Sequence, residues 1–217
     1  MKKQVFAAIG LAVAAVGAQA QVLLSEGFED TDKLASNGWL RTNNSSPVGP
    51  LQPWTQGASN IFTAQSGGEA SFIASIYGVG TDSGTINAWL ITPTFATDKA
   101  VDVTFYARAD NAPGYFDQIA YGWSNGSATP GSFSMSAATT VGTAGWTQYT
   151  LHIAAQGAGT TGRFAINYTG LGANAAYVGV DSLNVSVAAA VPEPSTMLLM
   201  GAGMLGLAGW ARRRAAR

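Results

Sequence analysis

Val101-Asp102-Val103-Thr104-Phe105-Tyr106-Ala107-Arg108 alternates apolar and polar side chains without interruption. Successive side chains of an extended chain point to opposite faces. Val101, Val103, Phe105 and Ala107 therefore share one face, and Asp102, Thr104, Tyr106 and Arg108 the other, which predicts a half-buried strand. The same period recurs outward in both directions. Residues 70–77 set Phe72, Ala74 and Ile76 against Ser71, Ile73, Ser75 and Tyr77, and Ile119, Tyr121 and Trp123 share a face within residues 118–124. Residues 146–153 put Tyr149, Leu151 and Ile153 on one side and Gln148, Thr150 and His152 on the other. Further strands are expected over residues 22–29, 87–92, 162–169 and 177–187. Between them lie clusters of Gly, Asn, Ser and Pro at residues 43–53, 66–68, 111–114, 125–131 and 157–162, which read as turns. No stretch between residues 21 and 190 reads as an amphipathic helix. Many short strands with polar turns predict an all-β, antiparallel sandwich or barrel.

The ends have a different composition. Met1-Lys2-Lys3 is basic, residues 5–16 are apolar, and Ala18-Gln19-Ala20 is a small-x-small cleavage site, so residues 1–20 read as a signal peptide cut by signal peptidase before Gln21. Residues 191–217, VPEPSTMLLMGAGMLGLAGWARRRAAR, contain a Pro-Glu-Pro block, an uncharged apolar run from Ser195 to Ala211, and a basic end with Arg212, Arg213 and Arg214. Pro192 and Pro194 fix φ and remove two backbone donors, so a helix begins only after them. A run of about 17 residues makes a helix of roughly 25 Å, barely enough to span a thin hydrocarbon core. The arginines do not cross lipid cheaply and hold the C-terminus in the cytoplasm, leaving Pro-Glu-Pro at the outer surface.

This tail resembles the PEP-CTERM sorting signal of Gram-negative bacteria. The resemblance implies that Pro192, Glu193 and Pro194 are read by a membrane enzyme of the exosortase type, that membrane anchorage through the tail is transient, and that the mature protein resides at the cell surface, associated with the outer membrane or in the extracellular matrix.

Between the two addresses, residues 21–190 form one domain. It carries five cations, Lys33, Arg41, Lys99, Arg108 and Arg163, against eleven acids, a net charge of −6, although the whole 217-residue chain is at −1. An acidic domain with scattered cations has no surface for a phosphate backbone, which excludes nucleic acid. The chain has no cysteine, so its stability comes from packing, with or without a metal.

Several short motifs run through this domain in order: Gly27-Phe28-Glu29-Asp30, Gly38-Trp39, Ala88-Trp89-Leu90-Ile91-Thr92-Pro93, Gly145-Trp146-Thr147-Gln148-Tyr149 and Val178-Gly179-Val180-Asp181-Ser182-Leu183-Asn184-Val185. In this series the domain is similar to the choice-of-anchor J group and to the cleaved-adhesin and MAM-like jelly rolls. The resemblance implies an antiparallel jelly-roll β-sandwich whose first and last strands are neighbours. It also implies that Glu29 and Asp181, joined by Glu26 or Asp30, hold a structural calcium ion. Ser182 stands where many relatives carry a second Asp, so that shell lacks one ligand. The other reading of the same four residues is plain surface carboxylates.

Little in the domain points to catalysis. His152 is the only histidine and falls on the polar face of its strand; without a second histidine or a cysteine, neither a typical zinc site nor a Ser-His or Cys-His nucleophile has enough parts. Two acids across a cleft suffice for a glycosidase, and the acids Glu26, Glu29, Asp30 and Asp32 cluster, while Asp102, Asp110 and Asp117 flank a hairpin. Acids at loop edges more often solvate or bind metal. Among the aromatics, Trp123 and Trp146 fall on apolar strand faces and read as core, whereas Tyr115 and Phe116, in the turn-rich residues 111–117, are the pair expected to stack on a ligand. The expected protein is thus a non-enzymatic surface or matrix protein, adhesive or associated with exopolysaccharide. A carbohydrate-binding module for extracellular polysaccharide is the alternative, and a glycoside hydrolase the third reading.

Overall fold

The alternation that starts at Val101 gives a nine-residue strand, Val101–Ala109, in which every second residue is buried. The computed structural model describes residues 20–189 and, in helical conformation, Gly201, Gly203, Met204, Arg212 and Arg214. Ala20–Ala188 forms a compact unit of its own. Its strands in chain order are β1 Val22–Glu26, β2 Leu40–Asn43, β3 Thr55–Gln56, β4 Ile73–Ile76, β5 Thr85–Ile91, β6 Phe95–Ala96, β7 Val101–Ala109, β8 Gln118–Ser124, β9 Ser134–Met135, β10 Thr139–Thr140, β11 Thr147–Ile153, β12 Thr161–Leu171 and β13 Tyr177–Val187. Between residues 20 and 189 the only helical pieces are short 3-10 turns.

The strands form two antiparallel sheets. One runs β11-β7-β13-β4-β3, with β1 also on β13; the other runs β10-β8-β12-β5-β2, with β6 on β12 and β9 on β8. The inward faces meet in a core containing Val103, Phe105, Ile119, Phe164, Ile166 and Leu183. Phe105 stacks on Tyr149 at 5.2 Å and tilts against Phe164 at 5.5 Å, tying the two sheets together. Each such side chain contributes about 1.5–3 kcal/mol on full burial, and this is the main stabilisation of a domain without disulfides.

Strand β13 carries the decisive irregularity. Asp181 pairs with Tyr106 and Asn184 with Thr104, so β13 spends three residues where β7 spends two. The extra residue is a bulge, with Ser182 at φ 50°. It lets Val178, Val180, Leu183 and Val185 all face the core while Asp181 turns to the outer face. At its far end β13 pairs with β1, Val22 opposite Ser186, and Val187 N donates to Gln21 O at 2.8 Å. The expected neighbourhood of first and last strands is therefore observed, and the chain enters and leaves the sandwich side by side.

Three strand expectations need correction. The opening strand ends at Glu26 and not at residue 29, because Phe28 takes φ 54° to drive its ring into the core. The strand expected over residues 70–77 is only Ile73–Ile76, and both its faces are buried. The cause is the segment of residues 57–71, which folds over the outer face of this sheet. It places Phe62 on Phe72 at 5.1 Å, edge-on to Trp146 and Tyr177, with the Arg108 guanidinium 4.8 Å from the Phe62 ring centre. Beneath that stack sits Gly179, whose place a Cβ would contest at 2.9 Å from both phenyl rings. The strand expected over residues 146–153 starts at Thr147, and Trp146 belongs to this second cluster, where its indole N–H donates to Thr63 O at 3.0 Å. Trp123 packs on the main core as expected.

Candidate functional site

Three connections meet at one end of the sandwich: β4 to β5, β7 to β8, and β12 to β13. Backbone hydrogen bonds lace them together. Tyr77 N donates to Ala176 O at 3.0 Å, Ala173 N to Asp82 O at 3.0 Å, Asp110 N to Tyr177 O at 2.9 Å and Phe116 N to Asn174 O at 2.8 Å. Underneath lies Asp117, which is 1% exposed. Its Oδ1 accepts from the Tyr168 hydroxyl at 2.5 Å and from Ala176 N at 2.9 Å, and its Oδ2 accepts from Tyr177 N at 3.2 Å. Burial pushes the Asp117 carboxyl above its ordinary value, the three hydrogen bonds pull it down, and the charge of Asp110 raises it further; the net direction is up. Burial likewise raises the Tyr168 hydroxyl. Asp117 thus pins the last connection to the start of β8.

Above this floor opens a cavity of about 470 Å³, lined among others by Ile61, Tyr77, Asp82, Asp110, Tyr115 and Tyr177. Tyr77 and Tyr115 are 46% and 50% exposed, so their rings are available at the rim. Tyr177 is buried in the wall, and its hydroxyl accepts from Ala58 N at 2.8 Å. The Asp82 and Asp110 carboxylates accept no hydrogen bond from another described residue. Among the described residues no lysine, arginine or histidine lines the space. It combines aromatic surface with two free acids, a composition suited to binding a small polar ligand.

The expected stacking pair is divided: Tyr115 lines the cavity, whereas Phe116 is exposed but does not. The sequence singled out Asp110 only as a hairpin acid and missed Tyr77, Asp82 and Tyr177. Their spacing along the chain carries no period, and only the fold of three separate connections brings them together.

Three of the four residues expected at an ion hold protein hydrogen bonds or an ion pair, and the fourth, Glu29, has none among the described residues. Asp181 is fully buried; its Oδ2 accepts from Gln65 N at 2.7 Å and Ser66 N at 3.1 Å, and its Oδ1 from Ser182 N at 2.5 Å. Burial raises its pKa against the pull of these bonds. Glu26 accepts from Phe28 N at 2.9 Å, and burial, with the Glu29 charge adding to it, raises its carboxyl. Asp30 accepts from Asp32 N at 3.1 Å and pairs with Lys33 at 2.9 Å, while Glu29 is exposed. Among the described residues no three histidines, cysteines or acids gather as a metal-holding group. With these N–H donors on both oxygens, Asp181 latches the covering segment to the sheet. His152 lies on the exposed face expected of it, its Nδ1 2.7 Å from Asp102 Oδ1.

Signal cleavage was expected beside Ala18 and Ala20. Ala20 and Gln21 open the described region, whereas Ala18 lies outside it, as do Pro192, Glu193, Pro194 and Arg213. Among the described residues no helix is long and apolar enough to cross a membrane, and most of the apolar run from Ser195 to Ala211 lies outside them. For these parts the residues themselves decide. Residues 190–214 match the PEP-CTERM protein-sorting motif. PEP-CTERM proteins are exported and surface-associated in Gram-negative bacteria, and the motif implies processing by an exosortase. No curated protein matches the chain. Among solved structures it is similar to the K3 cleaved adhesin domain of Lys-gingipain from Porphyromonas gingivalis W83, at 17% identity and a TM-score of 0.57 over 77% of this chain and 99% of that one. The K1 cleaved adhesin domain of the same protein is similar at 22% identity and a TM-score of 0.56, over 76% and 98%. At such identities the likeness is one of fold, and it agrees with the all-β sandwich expected from the alternation.

Proposed function

We propose that this PEP-CTERM protein is a non-enzymatic surface or matrix module that holds extracellular polysaccharide in the cavity of the three connections. The observation that carries this reading is the placement of the cavity relative to the chain ends. Tyr177, the first residue of β13, lines the cavity, and Val187, the last, lies beside Gln21. They are the two ends of an eleven-residue strand, ten steps or roughly 33 Å apart. A domain attached through the segment after Ala188 therefore presents the cavity at its far end. The half-exposed Tyr77 and Tyr115 rings offer apolar faces to pyranose rings, and the acids offer acceptors to hydroxyls.

The non-enzymatic reading is supported at the buried acid beside the cavity, and Asp82 and Asp110, the two free acids in it, are the pair that the test has to exclude as catalytic. Asp117, the buried carboxylate next to the cavity, has both oxygens committed to Tyr168, Ala176 and Tyr177. The test is a polysaccharide pull-down with the purified protein and its Tyr115→Ala variant, with reducing ends measured in the supernatant. Retention by the parent and loss in the variant is the expected result. No retention on any polysaccharide sinks the reading, and release of reducing ends that stops in Asp110→Asn replaces it with hydrolysis.

A further inference from the structure

The distribution of charge around the cavity narrows its ligand further. Asp82 and Asp110 both line it and neither has a hydrogen-bond partner among the described residues. Three of the domain's cations have polar partners away from the cavity, Lys33 at Asp30, Arg41 at Trp54 O and Arg163 at Thr92 O and Gly126 O, while Arg108 lies over the Phe62 ring behind the Tyr177 wall, its Nε without a hydrogen-bond partner among the described residues, and does not line the space. The remaining one, Lys99, lies between β6 and β7, two residues before Val101, which pairs with Val187 at the far end of β13 from the cavity. A third acid, Asp117, accepts from Ala176 N and Tyr177 N of the cavity wall, its carboxyl raised first by burial and last by the Asp110 charge. The site is therefore a negative recess with tyrosine walls and no cation among its described lining residues.

We infer that the cavity selects a cationic amino sugar, a glucosamine-type unit with a free ammonium group, over neutral or acidic sugars. The inference rests on the polysaccharide reading above and adds the charge of the unit. An ammonium group gains a charge-assisted hydrogen bond from either free carboxylate and attraction to the face of an adjacent tyrosine ring. The rest of the pyranose stacks on Tyr77 or Tyr115, as a neutral sugar does. A uronate or sulfated unit brings like charge into the same recess and is repelled.

Calorimetric titration of the purified full-length protein tests this with tetramers of glucosamine, N-acetylglucosamine, glucose and galacturonic acid. The glucosamine tetramer is expected to bind about tenfold or more tightly than its acetylated counterpart, the scale of one hydrogen bond to a charged group. Galacturonate is expected not to bind. Asp110→Asn removes one of the two charges but keeps an acceptor oxygen, and is expected to erase most of the preference, weakening the glucosamine tetramer more than the neutral ones. Raising the salt is expected to weaken the glucosamine tetramer alone. Equal binding of glucosamine and glucose, still lost in Tyr115→Ala, overturns the charge selection and leaves the polysaccharide reading standing. No binding of any tetramer removes both. A lysine-rich peptide that outcompetes the glucosamine tetramer in an Asp110-dependent way also overturns the inference, because the recess then reads ammonium groups on a protein.

Discussion

Asp181→Ala tests whether the segment of residues 57–71 is held to the sheet by one carboxylate. The substitution removes the acceptor of Gln65 N, Ser66 N and Ser182 N in one step. A buried donor left without a partner costs about 1–3 kcal/mol. Gln65 and Ser66 are exposed residues whose amides can turn to water once the segment lifts, so the three do not add in full. A total of about 2–4 kcal/mol follows, and at about 2–4 °C per kcal/mol for a domain of this size the melting temperature falls by about 4–16 °C. The loss is also local. Phe62 is 5% exposed in the parent and becomes accessible when the segment lifts, so chymotrypsin is expected to cut after it in the variant well below the melting temperature. Asp181→Asn is expected to be milder, since it keeps one acceptor oxygen and removes a charge whose burial is unfavourable. An alanine variant with an unchanged melting temperature and an intact Phe62 bond would falsify the latch.

Glu26, Asp117 and Asp181 all have carboxyls raised by burial. A raised folded-state pKa means that the folded state binds the proton first, so stability increases as pH falls from the raised values toward the ordinary carboxylate range near about 4. The melting temperature is expected to rise, or to hold, between neutral pH and that range, and Asp117→Asn to flatten the slope while lowering the whole curve; a steady fall in the parent over this interval contradicts the burial argument. Calcium and chelator are expected to give the same melting temperature, because the Asp181 oxygens already carry three N–H donors. A rise of several degrees in millimolar calcium returns Asp181 to the role of ion ligand. Intact-mass measurement is expected to find Gln21 first and a C-terminus between Pro192 and Ser195, and replacing Pro192 and Pro194 by Ala to leave an unprocessed form in the membrane. A mature chain that retains Met204 and Arg213 makes the tail a plain anchor.

Much of the sandwich was legible because β7, β8 and β11 have one wet face. β7, β8, β11 and β13 fall within a residue of where alternation puts them, and His152 lies on the exposed side that period two assigns it. Alternation failed at β4, where Phe72 and Ala74 on one face and Ile73 on the other are all buried. A strand covered on both faces loses the polar half of its pattern, and what covers it, residues 57–71, has no regular structure and hence no period of its own. The β13 bulge was equally invisible, because an extra residue in a strand changes the register and leaves the composition untouched. The two-residue strands β3, β6, β9 and β10 are shorter than any window in which a period can be counted.

The acids divide by a criterion that the sequence cannot supply, namely whether backbone N–H groups point at them. Asp117 looks no different in the sequence from Asp82 and Asp110, and Asp181 stands out only through the resemblance of its motif. In the fold Asp117 and Asp181 sit beneath a connection and a covering segment, and each accepts two or more backbone N–H groups, which makes them fasteners. Asp82 and Asp110 receive none and line open space. The two classes are coupled in space. Asp117 fixes Ala176 and Tyr177, the latter a cavity wall, and Asp181 holds the segment that contributes Ile61 to the same cavity. Neutralising a fastener should therefore alter ligand affinity only through the position of a wall, lowering it for neutral and cationic sugars alike. Neutralising Asp82 or Asp110 should change the ratio between them. That difference in pattern separates residues that hold the cavity in place from residues that read what enters it.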